Sequence, residues 1–378
     1  MRVAVGSQQP AYRVRLGGWG VGIVASVIER VGDLDESQII DRIQRFLCGT
    51  VHTEVGVGDD AAVVRAPDGR VVVSTDALVE GHHFRREWSS ARDVGWRAGT
   101  QNLADIVAMG ASPTSMVVAL GVPRDTPVQW VMDFYDGLSQ VCATVGAEIV
   151  GGDLTAAPVI MVAVTVHGNL GGQPPILRSG ASVGDVVAHT GSCGWSAAGF
   201  ALLQHGGDLR GDAPGAPMAV VERALAAFRA PTSPFVHGLA AQHGHARAML
   251  DVSDGVLRDV GRIATASGVG VNLDDPLTWY DPQPLMQVAA VVDEDDPAYV
   301  VRQWMLTGGE DHGFIAVFPP DVALPDGWTA IGTVVPPPRT PSGPCGGAVH
   351  RVRVRGVETG EMGSGWDHFS GSSGTAAT

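Results

Sequence analysis

The chain runs to 378 residues, carries a formal net charge of −15 and contains no lysine, so all 25 of its basic residues are arginine. Lysine-dependent chemistry is thereby excluded: no Walker A loop, no protein-kinase strand lysine, no Schiff-base or pyridoxal catalysis. The acidic balance, without a basic stripe, argues against nucleic acid as a partner, and no apolar run reaches the length of a membrane span.

Residues 1–32 read as a weakly structured extension. Asp35 or Ser37 can cap a helix running through Ile39, Ile40, Ile43 and Phe46-Leu47, whose apolar spacing is helical. Ala61–Ala66 and Val71–Ser74 are expected as strands joined by the Pro67-Asp68-Gly69 turn. A helix from about Ala91 to Met109 carries Asp105 and stops at Gly110. A strand over Ser115–Leu120, a helix near Val128–Val145, and strands at Glu148–Val150 and Val159–His167 follow.

Gly171-Gly172-Gln173-Pro174-Pro175 is the expected domain linker. Beyond it come a strand at Asp185–His189, a helix at Ser196–Gln204 and a Gly/Pro/Asp loop over 206–217. A strand ends at Met249-Leu250-Asp251, a helix spans Gly255–Ser267, and strands recur at Val269–Leu273, Gly313–Phe318 and Ala330–Val335. The organisation is then an extension (1–32), an N-terminal domain (33–170), a C-terminal domain (176–370) and a disordered tail (371–378). Strands and helices mix without a regular βαβ repeat, so the fold class is α+β. The cysteines Cys48, Cys142, Cys193 and Cys345 show no paired spacing, which fits reduced thiols in a cytoplasmic protein.

Carboxylates recur inside turns rich in small residues: Gly58-Asp59-Asp60, Ser74-Thr75-Asp76, Asn102-Leu103-Ala104-Asp105, Gly151-Gly152-Asp153, Asp251-Val252-Ser253-Asp254-Gly255 and Gly308-Gly309-Glu310-Asp311. Short acidic side chains on tight turns are what hard, oxygen-seeking cations require, and Mg²⁺ in proteins is usually shared with substrate phosphates. Taken singly, each has a plainer reading. Asp59-Asp60 is an ordinary turn pair, Asp76 and Asp254 could cap helices, Arg178 could pair with a carboxylate, and Trp366 could pack the C-terminus onto the core. Asp251 resists such a reading because it closes an apolar strand, and Asp105 because it lies in a helix among Leu103, Ile106 and Met109.

In order, these stations resemble those of the thiamine-monophosphate kinases, within the aminoimidazole-ribonucleotide-synthetase-like superfamily. The pieces that carry the resemblance are Gly58–Ala62, Ser74–Phe84, Asn102–Ala111, Gly151–Asp153, Arg178-Ser179-Gly180, Asp251–Gly255, Gly308–Asp311 and Gly365-Trp366-Asp367-His368-Phe369. The resemblance implies a two-domain fold whose N-terminal sheet pairs with its twin in a homodimer, with ATP and thiamine phosphate meeting between the domains. It implies several Mg²⁺ ions on Asp60, Ser74, Thr75, Asp76, Asp105, Asp153, Asp251 and Asp254. It places Gly152, Asp153, Arg178 and Ser253 on ATP, and His83, Glu310 and Trp366 on thiamine phosphate. Asp105, Asp153, Arg178 and Asp254 would form the catalytic group for direct in-line transfer of the γ-phosphoryl group. Two departures stand out: His312 where relatives often carry an aromatic residue, and Gly194-Trp195 in a loop that often carries an acid.

Overall fold

The structure is a computed structural model, and it describes residues 28–47, 51–56, 61–205, 216–293, 295–338 and 351–359. The first described residues are tied down: Val31 and Gly32 donate their N–H groups to the Thr126 and Arg124 carbonyls. Helix α1 (Glu36–Ile43) starts at Asp35, whose side chain accepts from Gln38 N–H while Gln38 returns a bond to Asp35, a capping box. Its Ile39 and Ile43 are buried, as the apolar spacing requires.

One expectation fails in the next segment. β2 (Val63–Val64) pairs antiparallel with β1 (Thr53–Val55), not with the strand after the Pro67-Asp68-Gly69 turn. That strand, β3 (Val72–Val79), runs on through Ser74, Thr75 and Asp76 and lies antiparallel to β6 (Met161–Asn169). An eight-residue ladder against β6 satisfies far more backbone groups than a short hairpin could. Asp76 is therefore a mid-strand residue and not a helix cap.

The first sheet has the order β3-β6-β4-β5, with β4 (Ser112–Val122) and β5 (Glu148–Ala156) parallel and the other pairs antiparallel. Helices α2 (Ala91–Ala108) and α3 (Val128–Val145) cover one face, burying Val118, Leu120, Val162, Val164 and Val166. The two helices touch through glycines: a Cβ on Gly95 would stand 1.9 Å from the Phe134 carbonyl oxygen, and one on Gly137 2.0 Å from that of Arg92. The opposite face is open, with Val73 60% and Met161 45% exposed.

The second sheet has the order β12-β9-β11-β7-β10-β8: β7 (Val186–Thr190), β8 (Ala248–Asp251), β9 (Gly270–Leu273), β10 (Phe314–Phe318), β11 (Thr329–Val335) and β12 (Val352–Val354). Around it lie α4 (Trp195–His205), α5 (Met218–Arg229), α6 (Phe235–His243), α7 (Val256–Ser267), α8 (Gln283–Val292) and α9 (Pro297–Thr307). α5, α6, α8 and α9 were not expected from the sequence. Two of them, α8 and α9, open with proline in the first turn, which reads as loop but is tolerated where the missing N–H has no helical partner. The whole is α+β. β10 joins the halves: Phe314, Ala316 and Phe318 pack into the core shared with α2, while Ile315 and Val317 face the core of the second domain.

Candidate active site

Strand β3 and helix α2 build one side of the site. The pleat turns Ser74, Asp76 and Leu78 toward α2, and Ser74 Oγ donates to Asp105 Oδ2 at 2.6 Å. Asp76 N–H donates to Asn102 Oδ1 at 3.0 Å, and Asn102 Nδ2 is held by the Ala98 carbonyl at 2.9 Å. Along α2, Arg97, Gln101 and Asp105 recur every fourth residue and so form one polar stripe on a helix buried on nearly every side.

Two turns of the second domain supply the other side. Asp251 ends β8, and the backbone turns at Gly255, whose φ of +108° and approach to Thr307 (2.8 Å for a Cβ) admit only glycine. Glu310 N–H donates to the Ser253 carbonyl at 2.9 Å and His312 N–H to that of Val252 at 3.0 Å, so the Gly308–Asp311 turn is laced to the Asp251–Gly255 turn. Glu310 and His312 hold positive φ angles of +68° and +49°, a backbone cost that such lacing offsets. Asp311 is buried and points away, accepting from Gly194 N–H at 2.6 Å and Ser196 N–H at 2.9 Å at the start of α4.

The electrostatics show one crowded anionic centre. Burial and then the neighbouring Asp251 and Asp76 carboxylates push Asp105 up to about 7, despite the Ser74 hydrogen bond. Burial followed by Asp251 raises Asp76 as well. His312 is buried between two acids, its Nδ1 3.5 Å from Asp251 Oδ2 and its Nε2 3.7 Å from Glu310 Oε2, within ion-pair reach but beyond a direct hydrogen bond. Burial disfavours its charge, yet those carboxylates outweigh burial and push the imidazole up to about 10. Glu310 is half-buried, and although burial raises its carboxyl, Arg97 and His312 outweigh that and hold it far below the usual carboxylate range. Its partner Arg97 donates to Oε2 from Nη2 at 2.7 Å and from Nε at 3.1 Å, and to the His83 carbonyl from Nη1 at 2.9 Å. Asp254 is hydrogen-bonded by Arg262, with Arg258 Nε at 3.9 Å, and it does not cap α7 with its side chain. Burial, then Asp251, pushes Asp259 up to about 7 although Arg262 donates to it at 2.6 Å.

The structure thus gathers Ser74, Asp76, Asp105, Asp251, Ser253, Asp254, Glu310 and, through its carbonyl, His83. It does not gather Thr75 and Asp153, which lie on the sheet's other face. Thr75 Oγ1 donates to the Val164 carbonyl at 2.9 Å. Asp153 is exposed on edge strand β5, paired in register with Ala119 and, beyond it, with Ala163 and Ala77. Three strand spacings, about 14 Å, separate β5 from β3. Gly152 is needed by the sheet itself, since a Cβ there would stand 2.0 Å from the Val118 carbonyl oxygen. Arg178 is exposed, and its carbonyl accepts from Ser267 at the C-terminal end of α7, one helix length (about 16 Å) from Asp254 at the other end. Asp60 and Trp366 lie outside the described residues.

Sequence reasoning passed over Arg97, Asp259 and Arg262. A charge among the apolar positions of α2 and of α7 was the available signal: Arg97 shares its stripe with Asp105, and Asp259 lies beside Val256, Val260 and Ile263. The donor set fits a hard divalent cation. Its acids are oxygen donors, and burial and then their mutual repulsion raise the proton affinity of Asp76 and Asp105 despite His312 nearby. Among the described residues no three His, Cys, Asp or Glu side chains stand at ligand spacing.

Two family profiles match the chain: AIR synthase related protein, N-terminal domain, over residues 58–170, and AIR synthase related protein, C-terminal domain, over residues 182–338. Fold and site together therefore define a two-domain protein of the AIR synthase related class. Within that class, a thiamine-monophosphate kinase of Mycobacterium tuberculosis (strain CDC 1551 / Oshkosh) is 42% identical over 341 residues, covering 89% of this chain and 92% of the relative. The solved thiamine-monophosphate kinase of Stenotrophomonas maltophilia K279a superposes with a TM-score of 0.67 at 28% identity, over 85% of this chain and 97% of that one. The structure of AaThiL complexed with AMPPCP and TMP gives 0.66 at 27% identity, over 91% and 100%. The chain belongs to the thiamine-monophosphate kinase family.

Proposed function

We propose that this chain transfers the γ-phosphoryl group of ATP directly to thiamine phosphate, forming thiamine diphosphate, at the junction of its two domains. The observation that carries the reading is the convergence of Asp76 and Asp105 from one domain with Asp251 and Asp254 from the other, beside an Arg97-anchored Glu310. Mg²⁺ would be held by Asp60, Ser74, Asp76, Asp105, Asp251 and Asp254. Bound there, it would supply positive charge against the phosphate oxygens of both substrates.

The chain's own groups do the rest. The acceptor phosphate oxygen is already anionic near neutral pH, so the site needs no general base and no phospho-enzyme. Its tasks are to bring two polyanions together and to align them, which places the weight on charge and orientation. Arg258 and Arg262 stand at Asp254, on the phosphate side, where they can share the negative charge. Arg178, at the far end of α7, suits the other end of an extended nucleotide. Glu310 and His83 orient thiamine phosphate, with Trp366 as a third contact.

A homodimer fits the open face of the first sheet, where Val73, Ala77, Ala119 and Met161 are exposed alongside Thr75 and Asp153. Burying that face against a twin would bring those two residues into the assembly. Asp105→Asn and Asp254→Asn test the reading. Each should lower turnover by about a hundredfold or more while thiamine phosphate binding changes by less than about fivefold. Turnover like that of the unaltered protein in both variants would remove the argument.

A further inference from the structure

We propose that Arg97 is a positioning residue for the substrate: its guanidinium locks Glu310 Oε2 to the His83 carbonyl across the two domains, leaving Glu310 Oε1 to accept an N–H from the amine-bearing aromatic ring of thiamine phosphate. The inference rests on the kinase reading above and adds to it the device that sets substrate recognition. Arg97 is buried on α2, and each of its three nitrogens is committed: Nε and Nη2 to one oxygen of Glu310, Nη1 to the backbone of His83. Its carbon also lies 5.0 Å above the Phe228 ring, which packs with Phe200 and Trp88. A planar fork held on every side has one orientation, and it transmits that orientation to the carboxylate.

Glu310 needs such a holder. Its backbone is in the left-handed region at φ +68°, and its turn is fastened to the second domain alone. Arg97 ties it to the first domain, so the clamp closes only when α2 and the Gly308–Asp311 turn stand in register. Both donors go to Oε2, and His312 also faces that oxygen. Oε1 has no hydrogen-bond donor among the described residues, on a side chain 37% exposed. An ionised carboxylate oxygen can only accept, so its match on a ligand is a donor, and the ring amine of thiamine is one. A lysine at position 97 would supply charge and donors from a single nitrogen, without the planar fork that fixes the carboxylate's orientation.

The test is a double-substitution cycle on the full chain: Arg97→Gln, Glu310→Gln and the pair, with Arg97→Lys as the conservative control. Kinetics are read against thiamine phosphate and ATP, and equilibrium binding of thiamine phosphate by calorimetry. Arg97→Gln should raise KM for thiamine phosphate about tenfold or more while kcat and the KM for ATP stay within about threefold. In the Glu310→Gln background the same change should cost less than about twofold, because Arg97 acts through Glu310. Arg97→Lys should restore part of the loss, and it carries the same readouts if Arg97→Gln does not fold. Equal effects in both backgrounds, or a loss confined to kcat or to ATP, would overturn the proposal. If the unaltered protein binds thiamine phosphate without phosphorylating it, the kinase reading falls alone and the cycle is read in binding constants. If it does not bind thiamine phosphate, both fall.

Discussion

At Asp105 two demands compete: burial and the facing acids favour a proton, while the proposed chemistry needs the carboxylate free for a cation. The same competition sets a pH dependence. Carboxyls unfold to about 4, so in the folded protein Asp105 and Asp259, each raised to about 7, retain protons that the unfolded chain has lost. Their contribution to stability therefore diminishes as pH rises from about 4 to about 7. His312 adds in the same direction: raised to about 10 against an unfolded value near 6.5, it contributes fully below about 6.5 and loses that contribution on the way to about 10. Metal-free protein should melt at a lower temperature near pH 8.5 than near pH 6, and Mg²⁺ should raise the melting temperature more at the higher pH, where it need not displace protons (both pH values chosen about the shifted groups). Scanning calorimetry at both values checks this, and a flat or inverted trend would show that the acids are not crowded as described. The residues of this cluster were legible as an ordered set, since each short acid taken singly has an ordinary use as a turn or cap residue. Arg97 was passed over, because its charge on a largely apolar helix tells only once the stripe through Gln101 to Asp105 is drawn. The separation of Thr75 from Asp76 was readable in principle, since alternate strand residues face opposite ways, but it required seeing that β3 extends past Ser74.

Among the elements, α2 carries the greatest burden: Arg97, Asn102 and Asp105 all project from it. The glycines at its crossing with α3 fix how closely the two helices approach. Gly137→Ala would place a methyl group 2.0 Å from the Arg92 carbonyl oxygen, backbone that cannot swing aside. The helices must separate, so the variant should lose between about 1 and 3 kcal/mol in urea unfolding. It should also lose activity out of proportion, because α2 lifts away from the Asp251 turn. Unchanged stability would mean that the crossing has slack. α2 and α3 themselves were legible from the sequence, α2 also from its stop at Gly110. The partner of β2 was not, because strand pairing is a long-range choice decided by which ladder satisfies more backbone. α8 and α9 were hidden by prolines that mark helix starts here, where local sequence reads as turn.

For the molecule as a whole, β10 makes the two domains one body, one of its faces packing into each core. That explains why residues separated by up to 213 positions, Arg97 and Glu310, can form a fixed pair. It leaves the outer face of the first sheet as the open apolar surface suited to a second copy. On the proposed homodimer through that face, Met161→Arg or Val73→Arg should convert dimer to monomer in sedimentation velocity, by burying an unpaired charge at the contact. If either variant sediments as the unaltered protein does, that face is not the interface. The central claim is the reaction itself, and chromatography of products after incubation with Mg²⁺-ATP and either thiamine phosphate or free thiamine tests it most directly. The account predicts thiamine diphosphate from thiamine phosphate and none from thiamine. Hydrolysis of ATP without thiamine diphosphate, or no turnover at all, would contradict it.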